Sequence, residues 1–312
     1  MNSEYFIKLD YRCNNRCRFC ITAEHNNYIE FEEIIKIIDM VDNQKFDTIT
    51  ISGGEPTLRD DIIEILQYIK SKGYKIRLQT NARKFANLNF AHLIADIGIE
   101  SYLISFHECE KDKFEYITQV KQSYEETIQG IKNIKHFNQF IIINTVINIL
   151  NYKSLKNISE FVFGLGVDTI KFVLLRDLEE NKKRYHEFSV TFSEMKSYLL
   201  NAIKYAKNIS KEVLVEGIPF CQIDNYYETI GELYIPAKLD FVSKDEMEQD
   251  VNYDKLFYKK AVQCEKCNFN DICSGTWAEY ITENGDGELI PIQDKNLSDT
   301  LDINILINKI FI

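Results

Sequence analysis

Cys13, Cys17 and Cys20 stand in a CxxxCxxC spacing. Three sulfurs this close together are too tightly spaced for a disulfide framework and one short of the four that a [4Fe-4S] cube takes from protein. A cube held this way keeps one iron open to a ligand that is not a side chain. A second group lies far downstream, with Cys264 and Cys267 in a CxxC, Cys273 after it and Cys221 upstream. Four sulfurs in that order suit either a further [4Fe-4S] cluster or a structural zinc ion. The eighth cysteine, Cys109, belongs to neither group.

The elements that must position these thiols follow a strand-then-helix rhythm. Apolar extended segments fall at Tyr5–Leu9, Thr48–Ser52, Lys75–Thr80, Ser101–Phe106, Phe140–Ile149 and Thr169–Leu175. Between and after them, helix-period stretches run over Phe31–Asp42, Asp60–Lys72, Phe90–Asp96, Ser123–Ile134, Tyr152–Leu165 and Ser193–Lys207. Six alternating units predict an α/β fold, a parallel sheet with helices outside it. Chemistry in such folds collects at the carboxyl ends of the strands. The cysteine loop, Gly53-Gly54-Glu55, Thr80-Asn81, Ser105-Phe106-His107, Asn144 and Leu175-Arg176 all lie on or just after successive strands. After Lys207 the rhythm changes, and Val213-Leu214-Val215 reads as a short separate strand.

The run Leu9-Asp10-Tyr11-Arg12-Cys13 through Arg16-Cys17-Arg18-Phe19-Cys20, with Gly53-Gly54-Glu55-Pro56-Thr57 after the second strand, resembles the signature of the radical S-adenosylmethionine (SAM) enzymes. The resemblance implies a partial (β/α)6 barrel over residues 1–210, in which Cys13, Cys17 and Cys20 hold a [4Fe-4S] cluster whose fourth iron is chelated by SAM. An electron entering that cluster would break the sulfonium bond and release a 5′-deoxyadenosyl radical that takes hydrogen from a substrate. It further implies that Gly53, Gly54 and Glu55 line the methionine end of SAM and that the region of Phe19 meets adenine. Ser105 would lie near the SAM carboxylate, Asn144 or the Leu175 backbone near ribose or adenine, and Asn81 beside them. Read as residues alone, Gly-Gly-Glu-Pro is also an ordinary strand-to-helix turn, Asn81 a turn former, and Ser105 and Asn144 polar groups satisfied by neighbouring backbone. The downstream cysteines resemble the short auxiliary extension called a twitch domain, here residues 211–312, a small cysteine-rich unit. On that likeness Cys221, Cys264, Cys267 and Cys273 would hold a second [4Fe-4S] cluster for electron transfer or support. Trp277 and Tyr280 would pack around it without chemistry.

Cys109 falls just beyond the fourth strand, at the expected mouth of the site, where a thiol could return a hydrogen atom to a substrate radical; an incidental loop residue is the plainer reading. His107 could act as acid or base near neutral pH or be purely structural. Among other classes, a two-cluster electron carrier leaves the three-cysteine site unexplained, and a zinc-binding interaction module leaves out the first trio altogether.

The chain of 312 residues is 45% hydrophobic, enough for a large core with a smaller appendage. A net charge of −11 disfavours a nucleic-acid track. No secretion signal opens the sequence, and the apolar run Phe140–Leu150, interrupted by Asn144 and Asn148, is too short for a membrane helix. Reduced thiols in the cytoplasm are therefore expected. The expected partners are a low-potential electron donor, ferredoxin or flavodoxin, and a substrate. Auxiliary-cluster relatives modify ribosomal peptides by crosslinking, thioether formation or epimerisation, or oxidise or epimerise small metabolites such as aminosugars; the former is favoured. Against it, the chain starts almost at strand one, leaving no room for a leader-binding domain. The acidic stretch Asp240–Asp254 reads as a solvated loop, and the tail Leu301–Ile312 as packing.

Overall fold

The computed structural model describes residues 4–21, 28–176, 182–234, 240–242 and 257–293, without the side chains of 182–184 and 240–242. The acidic stretch, beyond the backbone of its first three residues, and the tail Leu301–Ile312 lie outside the described residues.

Strands β1 (Glu4–Lys8), β2 (Thr48–Ser52), β3 (Lys75–Thr80), β4 (Ser101–Ser105), β5 (Ile141–Ile147), β6 (Thr169–Leu174) and β7 (Glu212–Glu216) pair in sequence order, every neighbour parallel. The backbone of β8 (Asp240–Val242) adds to the far side of β1, also in parallel. The sheet is open, with β7 and β8 at its edges. The crossovers carry α1 (Phe31–Met40), α2 (Ile62–Ser71), α3 (Leu88–Ile97), α4 (Lys111–Thr118), α5 (Ser123–His136), α6 (Leu155–Gly164), α7 (Lys182–Phe188) and α8 (Phe192–Asn208). This is the expected open α/β barrel, carried one unit further. The seventh strand lies past residue 210, the boundary drawn from sequence, and continues the main sheet rather than opening a separate unit.

Alternation along the strands gives the sheet two unlike faces. Ile49, Ile51, Ile76, Leu78, Tyr102, Ile104, Ile141 and Ile143 are fully buried, and each of the aliphatic side chains among them contributes about 1.5–3 kcal/mol of hydrophobic stabilisation. The alternate positions are polar and partly accessible: Ser52, Arg77, Gln79, Ser105, Asn144 and Lys171. A parallel sheet covered on both sides would be apolar on both. The second face is therefore not packed under an apolar layer as the first is, and can line a site. Beyond β7 the described residues form four 3-10 turns, the short hairpin β9 (Tyr258–Lys259) and β10 (Thr276–Trp277), and α9 (Ala278–Asn284); Cys221 lies in the first turn (Phe220–Gln222), Cys264 in the last (Val262–Lys266), and Cys267 and Cys273 between that turn and β10. Phe220, Tyr227 and Phe269 stack there with ring centroids 4.6–5.7 Å apart. No helix among the described residues is long and apolar enough to cross a membrane.

Candidate active site

The loop after β1 is held from three sides. Toward β2, Leu9 N–H donates to Ser52 O (3.0 Å), Gly54 N–H to Asp10 O (2.8 Å) and Glu55 N–H to Arg12 O (2.8 Å). Toward α4, Arg16 N–H and Arg18 N–H donate to Thr118 O and Ile117 O at 2.9 and 3.0 Å. From the β3 side, the Arg83 guanidinium donates to the Asn14 carbonyl and to Asn15 Oδ1 (2.9 Å), while Glu126 balances its charge at 2.6 Å. Nothing local in the sequence marks Arg83 for this work, because its partners lie almost seventy residues away.

Within that frame burial is the main cause that raises the Cys13 and Cys17 thiols; Cys20 adds to both and Cys13 to Cys17, so the three sulfurs share one electrostatic neighbourhood. Burial pushes Cys13 up to about 11. Among the described residues, no three His, Cys, Asp or Glu side chains form a group that would hold a single metal ion. A cube spreads its ligands over its corners, wider than ligands around one ion. The donor set, three soft thiols near one another with N–H groups around them, suits iron and sulfide. Asn15 N–H donates to Cys13 Sγ at 3.3 Å and Asn81 Nδ2 lies 3.8 Å from the same sulfur.

Gly53 has φ +133°, and a Cβ on it would lie 2.1 Å from Asp10 O; one on Gly54 would lie 2.3 Å from Arg12 O. The cysteine loop approaches this turn closely enough to demand glycine at both positions. Glu55 is likewise turned inward. Its buried carboxylate accepts from Thr57 Oγ1 (2.6 Å), Thr80 Oγ1 (2.7 Å) and Asn81 N–H (2.6 Å), and so ties the turn after β2 to the turn after β3. Burial pushes its carboxyl above the usual range. Asn81 is also engaged: its amide nitrogen donates to Asn14 Oδ1 (2.7 Å) and its Oδ1 accepts from Arg83 N–H (3.1 Å). Glu55 and Asn81 therefore brace the loop through their side chains.

The residues expected around SAM fall into two neighbouring pairs, Ser105 with Asn144 and Phe19 with Leu175. Ser105 and Asn144 are register neighbours across β4 and β5. Asn144 Oδ1 is buried without a hydrogen-bond partner, an acceptor that a hydroxyl or ammonium donor would satisfy. Phe19 and Leu175 share a small apolar cluster with Ile117, Tyr185 and Phe188. His107 meets Phe19 edge-on, centroids 4.9 Å apart, and its Nδ1 accepts Val146 N–H at 3.2 Å. Burial holds this imidazole down to about 4, so it is neutral near pH 7. Cys109 lies in the loop between β4 and α4. Its carbonyl accepts from Tyr124 of α5 (2.7 Å), a ring packed on Phe106, Phe114 and Phe161 in the helix layer. The thiol itself lies 3.4 Å from Glu108 Oε1 and packs on the core.

Cys221, Cys264, Cys267 and Cys273 form a second neighbourhood. Burial first, then Cys273, Cys264 and Cys267, push the Cys221 thiol up to about 12. Sequence reasoning missed the polar wall beside it: Lys171 of β6 pairs with Glu216 of β7 at 2.7 Å. Glu232 accepts Gly217 N–H (2.6 Å) and the Tyr258 hydroxyl (3.0 Å), and burial together with Glu216 pushes its carboxyl up to about 8.

The sequence model of the radical SAM superfamily matches residues 7–162. Among curated proteins, a probable GTP 3′,8-cyclase of Saccharolobus islandicus is 28% identical over 211 residues, 66% of this chain and 67% of the relative. The Saccharolobus solfataricus counterpart is 31% identical over 58% of this chain and 59% of its own length. Among solved structures, Streptococcus suis SuiB bound to S-adenosylmethionine superposes with TM-score 0.69 at 16% identity, covering 95% of this chain and 77% of SuiB. Native anSMEcpe with bound AdoMet gives 0.66 at 15%, over 91% of both chains. At these identities the structures establish a common fold.

Proposed function

Because the chain belongs to the radical SAM superfamily, we propose that it is a SAM-cleaving enzyme whose substrate is a peptide, modified by hydrogen abstraction. The observation that carries the first half is the convergence of three neighbouring thiols, the glycine turn and the partnerless Asn144 oxygen toward the carboxyl ends of one parallel sheet. Cys13, Cys17 and Cys20 would hold the [4Fe-4S] cluster. When SAM is bound, that cluster supplies the electron that splits its sulfonium into methionine and a 5′-deoxyadenosyl radical. The protein's own part is placement. Asn144 Oδ1 accepts from ribose or ammonium, Phe19 and Leu175 make an apolar shelf for adenine, and Arg83 with Glu55 holds the cysteine loop in register.

The substrate half is supported by charge. A nucleoside triphosphate is best held by cations free of carboxylate partners, and among the described residues three basic side chains along the polar face and its rim are matched: Arg77 by Glu4, Lys171 by Glu216, Arg176 by Glu279. A largely uncharged peptide backbone needs none. The fold shared with SuiB, which is also known bound to its precursor peptide SuiA, is consistent with this reading. Identity to probable GTP 3′,8-cyclases favours a second one, radical cyclisation of a nucleotide. Cys221, Cys264, Cys267 and Cys273 are assigned a second [4Fe-4S] cluster that relays or supports, and a ferredoxin or flavodoxin is the assigned donor.

The test is anaerobic incubation of reconstituted protein with SAM, a low-potential reductant and either candidate peptides or GTP, with mass measurement of all products. Formation of 5′-deoxyadenosine with a peptide two mass units lighter, or deuterated in heavy water, supports the proposal; conversion of GTP replaces the peptide by the nucleotide. Absence of 5′-deoxyadenosine in every mixture overturns both.

A further inference from the structure

We propose that Trp277 is a positioning residue for SAM, fastening the end of β6 so that the cysteine-rich carboxyl-terminal segment and the SAM site form one mechanical unit. This rests on the reading above that the Leu175 segment meets adenine. The ladder between β6 and β7 ends at Val173 opposite Glu216. The next residue of β7's chain, Gly217, turns away at φ +76°, and a Cβ on it would lie 2.3 Å from the indole nitrogen. Trp277 fills that space and is fully buried. Its Nε1–H donates to the Leu174 carbonyl at 3.0 Å, supplying the partner that the ladder no longer provides.

The same segment grips both flanks of Leu175. Arg176 stacks its guanidinium over the Trp277 ring, 4.4 Å from the centroid, and pairs with Glu279 of α9 at 3.3 Å. Thr276 Oγ1 donates to Gly217 O at 2.7 Å, holding the turn against the strand end. Leu175 is thus pinned on either side by residues 276–279, and its own side chain reaches the cluster containing Phe19. Trp277 follows Cys273 by four residues, and Gly275 N–H between them donates to Cys273 Sγ at 3.4 Å. Whatever the four downstream thiols hold therefore sets the segment that shapes the adenine shelf.

The experiment uses the full chain, reconstituted anaerobically, and measures SAM affinity by equilibrium dialysis with labelled SAM, alongside iron content and thermal midpoint. Trp277→Phe keeps most of the ring volume and removes the donor; the expected result is a SAM dissociation constant raised roughly tenfold at unchanged iron content, the scale of one buried hydrogen bond. Thr276→Val is expected to weaken SAM by a smaller factor and decides the matter if the first variant does not fold. Tyr280→Phe removes a hydroxyl from the same helix, bonded to Phe192 N–H at 2.8 Å instead of to β6, and is expected to leave SAM affinity unchanged. Wild-type affinity in a folded Trp277→Phe protein, or in Thr276→Val where that protein does not fold, overturns the proposal, as does equal weakening in Tyr280→Phe. A wild-type chain that binds no SAM overturns the assigned function as well.

Discussion

The Glu55 carboxylate reaches from the turn after β2 to accept the Asn81 backbone N–H at 2.6 Å in the turn after β3. Its other oxygen takes two hydroxyls and the Thr57 N–H, so every donor around it needs an acceptor. An amide cannot serve both N–H groups at once. Glu55→Gln is therefore expected to cost about 1–3 kcal/mol, the penalty of one buried donor left unpaired. Urea midpoints of the metal-free protein read this directly, and an unchanged midpoint would show that the brace contributes nothing.

With Cys13 as a ligand of the proposed cluster, Asn81 would act on that cluster through it. Its Nδ2 lies 3.8 Å from Cys13 Sγ, and donors to a ligand sulfur stabilise the reduced, more negative cluster. Removing a weak hydrogen bond of about 0.5–1.5 kcal/mol corresponds to about 20–60 mV for a one-electron couple. Asn81→Ala should lower the reduction potential of the amino-terminal cluster by that amount in an EPR-monitored redox titration. A potential that stays put or rises would remove Asn81 from the cluster's surroundings.

Local periodicity carried the strands and most helices, because a face that is buried must repeat every second residue or every three to four. Thr48–Ser52 and Lys75–Thr80 match the observed β2 and β3 to the residue, and Phe192–Asn208 differs from expectation by one at each end. Short, polar α4 escaped, since its three buried residues, Phe114, Ile117 and Thr118, are too few to stand out in a charged run. The seventh strand was seen as a segment, but its membership of the sheet depends on pairing with β6, which a single sequence does not encode locally. At the site, the cysteine spacing is a local signal. The inward turn of Glu55, the Arg83 clamp and the Trp277 bond to Leu174 are not, because each joins residues 25 or more apart.

His107 gives the fold a pH dependence of definite sign. Its imidazole is held down to about 4 by burial, against an unfolded value near 6.5, so the native state binds the proton less tightly than the unfolded chain. The stability this contributes is present at neutral pH and is lost as pH falls through 6.5 toward 4. Between pH 7 and 5 the loss amounts to about 2 kcal/mol. His107→Gln should remove that part of the acid sensitivity, seen as a smaller drop in unfolding free energy over the same interval. Identical pH profiles for the two proteins would mean the ring titrates normally.

Cys109 is expected to be chemically silent. Burial first, then the neighbouring Glu108 carboxylate, push its thiol up to about 12, which leaves a thiolate fraction at pH 8 of about one in ten thousand. Alkylation by iodoacetamide at pH 8 should accordingly run on the order of a thousandfold slower than at an ordinary exposed thiol. Its carbonyl accepts from Tyr124 in the helix layer and its thiol packs on the core, which leaves it little freedom to reach a substrate radical. Cys109→Ala should then leave both SAM cleavage and product formation at wild-type levels. Retained cleavage with lost product, the pattern of a missing hydrogen-atom donor, would instead require the loop after β4 to turn this thiol into the cavity during turnover.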